Sequence, residues 1–247
     1  MAHFSQDPRL LAVYREGGHG DVYVDMAQGI FGEGWTKDHR SICKTLVLAM
    51  GYGAGDKKVG AILTVNGIPT DVETGAAYVR ELRETYPTFF EWREQVIAKV
   101  HKTGYVQTLS GQRRRLKTAF IDRRNWKNIG YGERQAVNAI IQGSAADIVR
   151  RTMMGTESDT ALRHIELLAQ VHDELVWEAW RHLVTPEDLL LIRWWGEVGH
   201  GYELRVPLGF EPLVGASWHE GKEGSPLILP EDIDDDDATL DYESEER

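Results

Sequence analysis

The sequence predicts an α+β fold, and three observations carry that expectation. Helical periodicity dominates the first hundred residues, two short hairpin patterns come after it, and no internal repeat divides the chain. With 247 residues, 42% of them hydrophobic, there is enough apolar material for a sizeable core in one or two domains. Composition excludes a collagen, a mucin and a wholly disordered chain. A disulfide scaffold is excluded too, because Cys43 is the single cysteine.

The elements follow in chain order. Residues 10–14 read as the end of a helix, cut by the glycines of Glu16-Gly17-Gly18-His19-Gly20. Residues 38–50 have helical length and period, with Asp38 near the start and Gly51-Tyr52-Gly53 as the stop. The stretch 51–58 lacks the spacing and the preceding strand of a phosphate-binding P-loop, and is taken as a turn. Residues 70–86 open with Thr70 as a cap and Glu73 three residues on, which predicts a helix or a bent pair reaching about Lys102. Residues 105–109 and 113–116 flank Ser110-Gly111 and predict a hairpin. Residues 134–154 form a long helical pattern, apolar at Val137, Ile140, Ile141, Ala145, Ile148 and Val149. Residues 167–171 and 175–177 predict a second hairpin, with His172-Asp173-Glu174 at its turn. No run is apolar enough to span a membrane and the start does not resemble a signal peptide, so a soluble, cytoplasmic protein is expected.

Charge is unevenly divided. Lys and Arg number 28 and Asp and Glu 39, a net charge of −11, yet residues 231–247 alone hold ten acids and one base. That tail has too little apolar content to fold and is expected to be disordered, serving solubility or competing as a DNA mimic. Residues 102–151 hold eleven cations against Asp122, Glu133 and Asp147. Such a belt suits phosphate neutralisation, and a solvated face of scattered ion pairs accounts for it equally well.

Three constellations carry chemistry. Arg40, Lys44, Leu48 and Tyr52 recur every four residues, a drift of only about 40° per step on an ideal helix, so they form one slowly winding stripe. An Arg fork and a Lys point charge a turn apart can hold several phosphate oxygens. The full pattern of Arg, Lys, Tyr and Gly arises by chance in about one sequence in a thousand. Asp173 and Glu174 can offer oxygens to a hard cation such as Mg²⁺, although a bare acidic pair at a turn is more often simply solvated. Arg134, Asn138 and Gln142 make a polar stripe suited to base edges, or equally to buried helix packing. The histidines show no metal-ligand spacing and no zinc site is expected.

These segments stand in an order that resembles a known family. Arg40-Ser41-Ile42-Cys43-Lys44 through Met50-Gly51-Tyr52-Gly53 resembles motif B, the fingers helix of family A DNA polymerases, and residues 170–174 resemble motif C of their palm. Residues 104–114 (GYVQTLSGQRR), 133–138 (ERQAVN) and 142–147 (QGSAAD) are similar to palm segments that meet primer and template, and residues 206–208 and 215–218 to the closing strand and C-terminus. Over residues 1–220 the chain is thus similar to the C-terminal half of bacterial polymerase I and its phage relatives. The resemblance implies a helical fingers subdomain with the end of a palm helix in residues 1–103, and an antiparallel-sheet palm portion in 104–230. Residues 231–247 remain the acidic tail.

The resemblance also implies roles. Arg40 and Lys44 bind the nucleoside triphosphate, with Lys44 assisting departure of pyrophosphate; Leu48 faces the sugar and Tyr52 stacks near the templating base. Asp173 ligates catalytic Mg²⁺, with His172 and Glu174 beside the primer terminus. Arg134, Asn138 and Gln142 track the primer and template, which Arg113 and Arg114 also meet. The chain departs from the family at its start, which falls after the Asp of motif A, the second metal-bridging carboxylate; thumb and motif A strand are expected upstream. Asp7, Asp21 and Asp25 are replacements by charge alone. Tyr23 stands where the family usually has His, and Leu48 where many members carry Phe or Tyr, a change shared with some viral members that points to a phage source. The expected function is template-directed DNA synthesis as the C-terminal subunit or fragment of such a polymerase, needing an upstream half. The alternative is a non-catalytic DNA-binding accessory protein.

Overall fold

The structure, a computed structural model, describes residues 1–15, 20–51, 56–65, 67–121 and 124–223; the side chains of residues 48–51, 56–58, 222 and 223 lie outside the description. The chain divides into two compact units. The first comprises Met1–Asp147 with Tyr202–Pro207, and the second Ile148–Gly201 with Leu208–Arg247.

Capping side chains set where the helices of the first unit begin. After α1 (Ala2–Ser5), Asp7 accepts from the amides of Arg9 and Leu10, and Pro8 opens α2 (Pro8–Val13). Asp21 does the same for Tyr23 and Val24 at the head of α3 (Val22–Phe31). Helices α4 (Lys37–Gly51) and α5 (Asp56–Val65) follow. Asp56-Lys57-Lys58 therefore opens a helix and does not continue the turn expected there, while residues 52–55 lie outside the description.

Helix α6 (Val72–Thr85) is capped by Asp71, which accepts from the Thr74 amide at 2.6 Å, and not by Thr70 as the sequence pattern suggested. The Thr70 hydroxyl is instead turned to the Ile68 carbonyl. Pro87 has no N–H to continue the ladder, so the expected bent pair is two helices: α6 stops and α7 (Pro87–Thr103) starts at Tyr86. A glycine pair sets the crossing of α5 on α6, since a Cβ on Gly75 would lie 2.6 Å from the Gly60 backbone nitrogen. The core of these helices gathers Met26, Ala27, Cys43, Leu46, Leu63, Val79, Leu82 and Phe89. Burial pushes the Cys43 thiol up to about 12.

Beyond α7 the chain makes a short antiparallel hairpin, β1 (Tyr105–Gln107) and β2 (Arg113–Arg115), in which Val106 faces Arg114. It lies over a second cluster formed by Val96, Val100, Leu116, Ala136 and Val137. Helix α8 (Trp126–Ser158) starts eight residues before the expected Arg134. The added turns include Gly130 and Gly132, and glycine has low helix propensity; Gly132 sits where a Cβ would be 2.6 Å from Ala119, so tertiary packing overrides propensity. The unit boundary falls within this helix.

In the second unit, β3 (Ile165–Val171) pairs antiparallel with β4 (Glu174–Ala179), with a register shift between Leu167 and Ala169. Thr185 and Asp188 form a reciprocal capping box at the head of α9 (Pro186–Trp194), and the last described element is α10 (Trp218–Glu223). Asp188 also accepts from His164 at 2.9 Å, anchoring α9 to the segment before β3. No helix among the described residues is long and apolar enough to cross a membrane.

Candidate nucleotide and nucleic-acid site

Helix α4 divides its residues by face. Ile42, Cys43, Leu46 and Val47 are buried in the core, which turns Arg40 and Lys44 outward a single turn apart. Lys44 is exposed, and its ammonium makes no ion pair or hydrogen bond among the described residues. The Arg40 fork is engaged: Nε and Nη2 lie 2.8 and 2.7 Å from Asp21 Oδ2, and the guanidinium stands 5.5 Å from the Tyr23 ring centroid. Burial works against ionisation of Asp21. The Arg40 fork and the Val24 and Tyr23 amides outweigh it, and the carboxyl sits below its ordinary range. The side chain of Leu48 and all of Tyr52 lie outside the described residues.

Asp7, Asp21 and Asp25, the carboxylates weighed by charge alone, are each used by the fold. Asp7 is buried, and besides capping α2 it accepts from the Phe89 amide at 3.2 Å. Asp21 caps α3 and holds Arg40. Asp25 accepts from Arg9 Nε at 2.8 Å and from the Tyr86 hydroxyl.

On α8, Arg134, Asn138 and Gln142 share one face opposite the buried Ala136 and Val137. The Asn138 amide donates to Gln142 Oε1 at 3.2 Å, so the expected stripe exists as a bonded amide pair. On β2, Arg113, Arg114 and Arg115 are all exposed, with the Arg113 guanidinium 4.8 Å from the Tyr105 ring centroid.

The second unit presents the acidic turn. Val171 pairs with Glu174, leaving His172 and Asp173 as a two-residue loop, with His172 in the left-handed region at φ 57°. Glu174 is thus the first residue of β4 and not part of the turn. It accepts from Trp218 Nε1 at 3.2 Å. Asp173 is exposed, and its carboxylate has no partner among the described residues. Gln170, quoted with motif C but given no role of its own there, donates from its side-chain amide to the His172 carbonyl at 3.3 Å and braces the turn.

Asp173 and Glu174 are hard oxygen donors of the kind Mg²⁺ takes. Among the described residues no three His, Cys, Asp or Glu side chains come together as a metal site, so the donor set fits one edge of a two-metal centre and not the whole.

Comparison with known proteins assigns the family. The model of DNA polymerase family A matches residues 1–220. DNA polymerase I of Treponema pallidum is 34% identical over 224 residues, a match covering 88% of this chain and 21% of that protein. DNA polymerase I of Streptococcus pneumoniae is 30% identical over 230 residues, covering 90% and 25%. Among solved structures, the POL domain of Pol1 from M. smegmatis in complex with DNA primer-template and dNTP superposes with a TM-score of 0.72 at 27% identity, over 84% of this chain and 35% of that one. The chain therefore spans between a fifth and a quarter of the length of these curated relatives. With its motifs in family order on an α+β frame of this shape, the chain belongs to DNA polymerase family A.

Proposed function

We propose that this chain supplies the nucleotide-gripping helix and one metal-binding carboxylate of a template-directed DNA polymerase, working with an upstream polypeptide that carries the remaining metal ligands. One observation carries the proposal. Lys44, on α4, and Asp173, in the loop between β3 and β4, are exposed charges without partners among the described residues, while Asp7, Asp21 and Asp25 are consumed internally. The M. smegmatis relative, described with primer-template DNA and dNTP, supports the substrate class.

In this proposal Arg40 and Lys44 bind the deoxynucleoside triphosphate, with Leu48 and Tyr52 extending the stripe toward sugar and template. The ammonium of Lys44 stabilises the charge that grows on the departing pyrophosphate. Asp173 is the residue that would hold Mg²⁺, which when bound neutralises charge on the phosphates. Glu174 and His172 lie beside the primer terminus, and Arg134, Asn138, Gln142, Arg113 and Arg114 hold the DNA. The reaction is in-line attack of the primer 3′-hydroxyl on the α-phosphate, expelling pyrophosphate. Such an enzyme works in the cytoplasm of a bacterium or of a phage-infected cell.

The test is primer extension with Mg²⁺ and four deoxynucleotides, by this chain alone and with the polypeptide encoded immediately upstream. Extension in the mixture only is the expected result. Extension by the chain alone removes the need for a partner, and no extension by a well-folded mixture that still binds DNA favours the accessory role.

A further inference from the structure

The hairpin β1–β2 is poorly equipped to hold itself. Each strand has three residues, the pair joins no further strand among the described residues, and β2 is a run of three arginines, Arg113, Arg114 and Arg115, all exposed. An isolated two-stranded hairpin is marginal in water, and three adjacent like charges add repulsion. None of the three makes an ion pair among the described residues; the Tyr105 ring beneath Arg113 is their one recorded aromatic contact.

What steadies the hairpin is a seat on α8. The loop between the strands closes on itself through the Thr108 amide to the Gln112 carbonyl at 3.0 Å and the Gly111 amide to the Thr108 carbonyl at 2.9 Å. Two further amides of the loop, those of Leu109 and Ser110, reach α8. Leu109 donates to Ser144 Oγ at 3.0 Å and Ser110 to Asp147 Oδ2 at 3.0 Å. Ser144 and Asp147 are each 2% exposed, so these bonds are shielded from water on the acceptor side. Between them and the DNA-facing Gln142 stands Gly143, where a Cβ would come 2.6 Å from Thr108 Cγ2, so the loop lies flush on the helix.

We propose that Ser144 and Asp147 are positioning residues that lock the hairpin tip to α8, so that the three exposed arginines of β2 form a fixed array for the phosphate backbone of duplex DNA. The inference rests on the DNA-binding role proposed above. Burying a carboxylate costs free energy unless hydrogen bonds satisfy it, and one of the bonds that Asp147 accepts comes from the loop that carries the arginines. The sign of its effect separates positioning from simple electrostatics. Removing a negative charge near DNA strengthens binding by Coulomb's law alone, whereas removing the seat weakens it.

Binding of the full chain to a primer-template duplex is followed by fluorescence anisotropy across a range of KCl concentrations, with circular dichroism as the check on folding. Each phosphate contact contributes about 0.9 to the slope of log K against log salt. The Arg113→Ala/Arg114→Ala/Arg115→Ala chain is expected to lose two to three contacts' worth of slope, about 2 to 3. Asp147→Ala is expected to weaken binding about tenfold at low salt and lower the slope by about 1 to 2, and to have no further effect in the triple-arginine background. Ser144→Ala, which changes no charge, shifts both in the same direction by less, and carries the test if Asp147→Ala fails to fold. Equal or tighter binding with an unchanged slope in the folded variants overturns the seat, as does a full additional loss in the triple-arginine background. A wild-type chain that binds no duplex, or a triple-arginine chain that binds like wild type, overturns the DNA-contact role as well and the seat with it.

Discussion

The carboxylates of the first unit and the turn carboxylate of the second behave in opposite ways. Asp7, Asp21 and Asp25 accept from backbone amides, from arginines and from a tyrosine hydroxyl, and their charge is spent on starting and joining helices. Asp173 projects from a two-residue loop with no partner among the described residues, on a turn that Gln170 braces from behind. The contrast separates acids that build the fold from an acid left for something that arrives from outside. Buried or capping carboxylates lower the energy of the folded chain directly. An exposed one on a rigid hairpin contributes almost nothing to stability and is free to bind a cation.

Alanine substitutions break the comparison most sharply. Asp173→Ala is expected to reduce primer extension by the reconstituted polymerase on the order of a thousandfold, because a metal-holding oxygen is lost. The same variant should leave unfolding within about 0.5 kcal/mol of wild type in a urea titration. Asp7→Ala is the inverse. Three amides, those of Arg9, Leu10 and Phe89, lose their acceptor in a buried setting, which costs about 2–4 kcal/mol. Any loss of activity should follow the unfolded fraction. An Asp7→Ala chain that stays fully stable yet loses extension would place Asp7 in the chemistry and dissolve the distinction.

The same contrast explains what was legible before the structure. Local patterns were readable: the helix through Arg40 and Lys44 has its period and its glycine stop, the first hairpin has Ser110-Gly111 between its strands, and the second has largely apolar strands around its turn. Failures arose where distant residues decide. Gly132 looks like a breaker until Ala119 and Phe120 are seen packed where its side chain would be. Thr70 and Asp71 are both competent caps, and the competition is settled by Thr70 turning to Ile68. The Asp21–Arg40 pair spans 19 positions, too far for any helical or strand period to signal. At the candidate site the charged residues themselves were therefore visible, while the bonds that Asp21, Gln170 and Trp218 make there were not.

A smaller effect sharpens the comparison through pH. The folded-state pKa of Asp21 is depressed, since the Arg40 fork and two amides outweigh the cost of its burial. A depressed carboxyl contributes stability in full above its unfolded value of about 3.9 and loses it as pH falls through the lower folded value. Asp188 in the second unit has the same sign, with the Thr185 amide and His164 outweighing burial. Thermal unfolding from pH 6 to pH 2.5 should therefore show wild type losing stability on the acid side. Asp21→Asn should start lower at pH 6 and lose less on acidification, so that the two curves converge toward pH 2.5. Parallel curves for wild type and Asp21→Asn would mean that the Arg40 pair is screened by solvent and contributes nothing. Arg40 would then reach a triphosphate without first giving up a partner of its own.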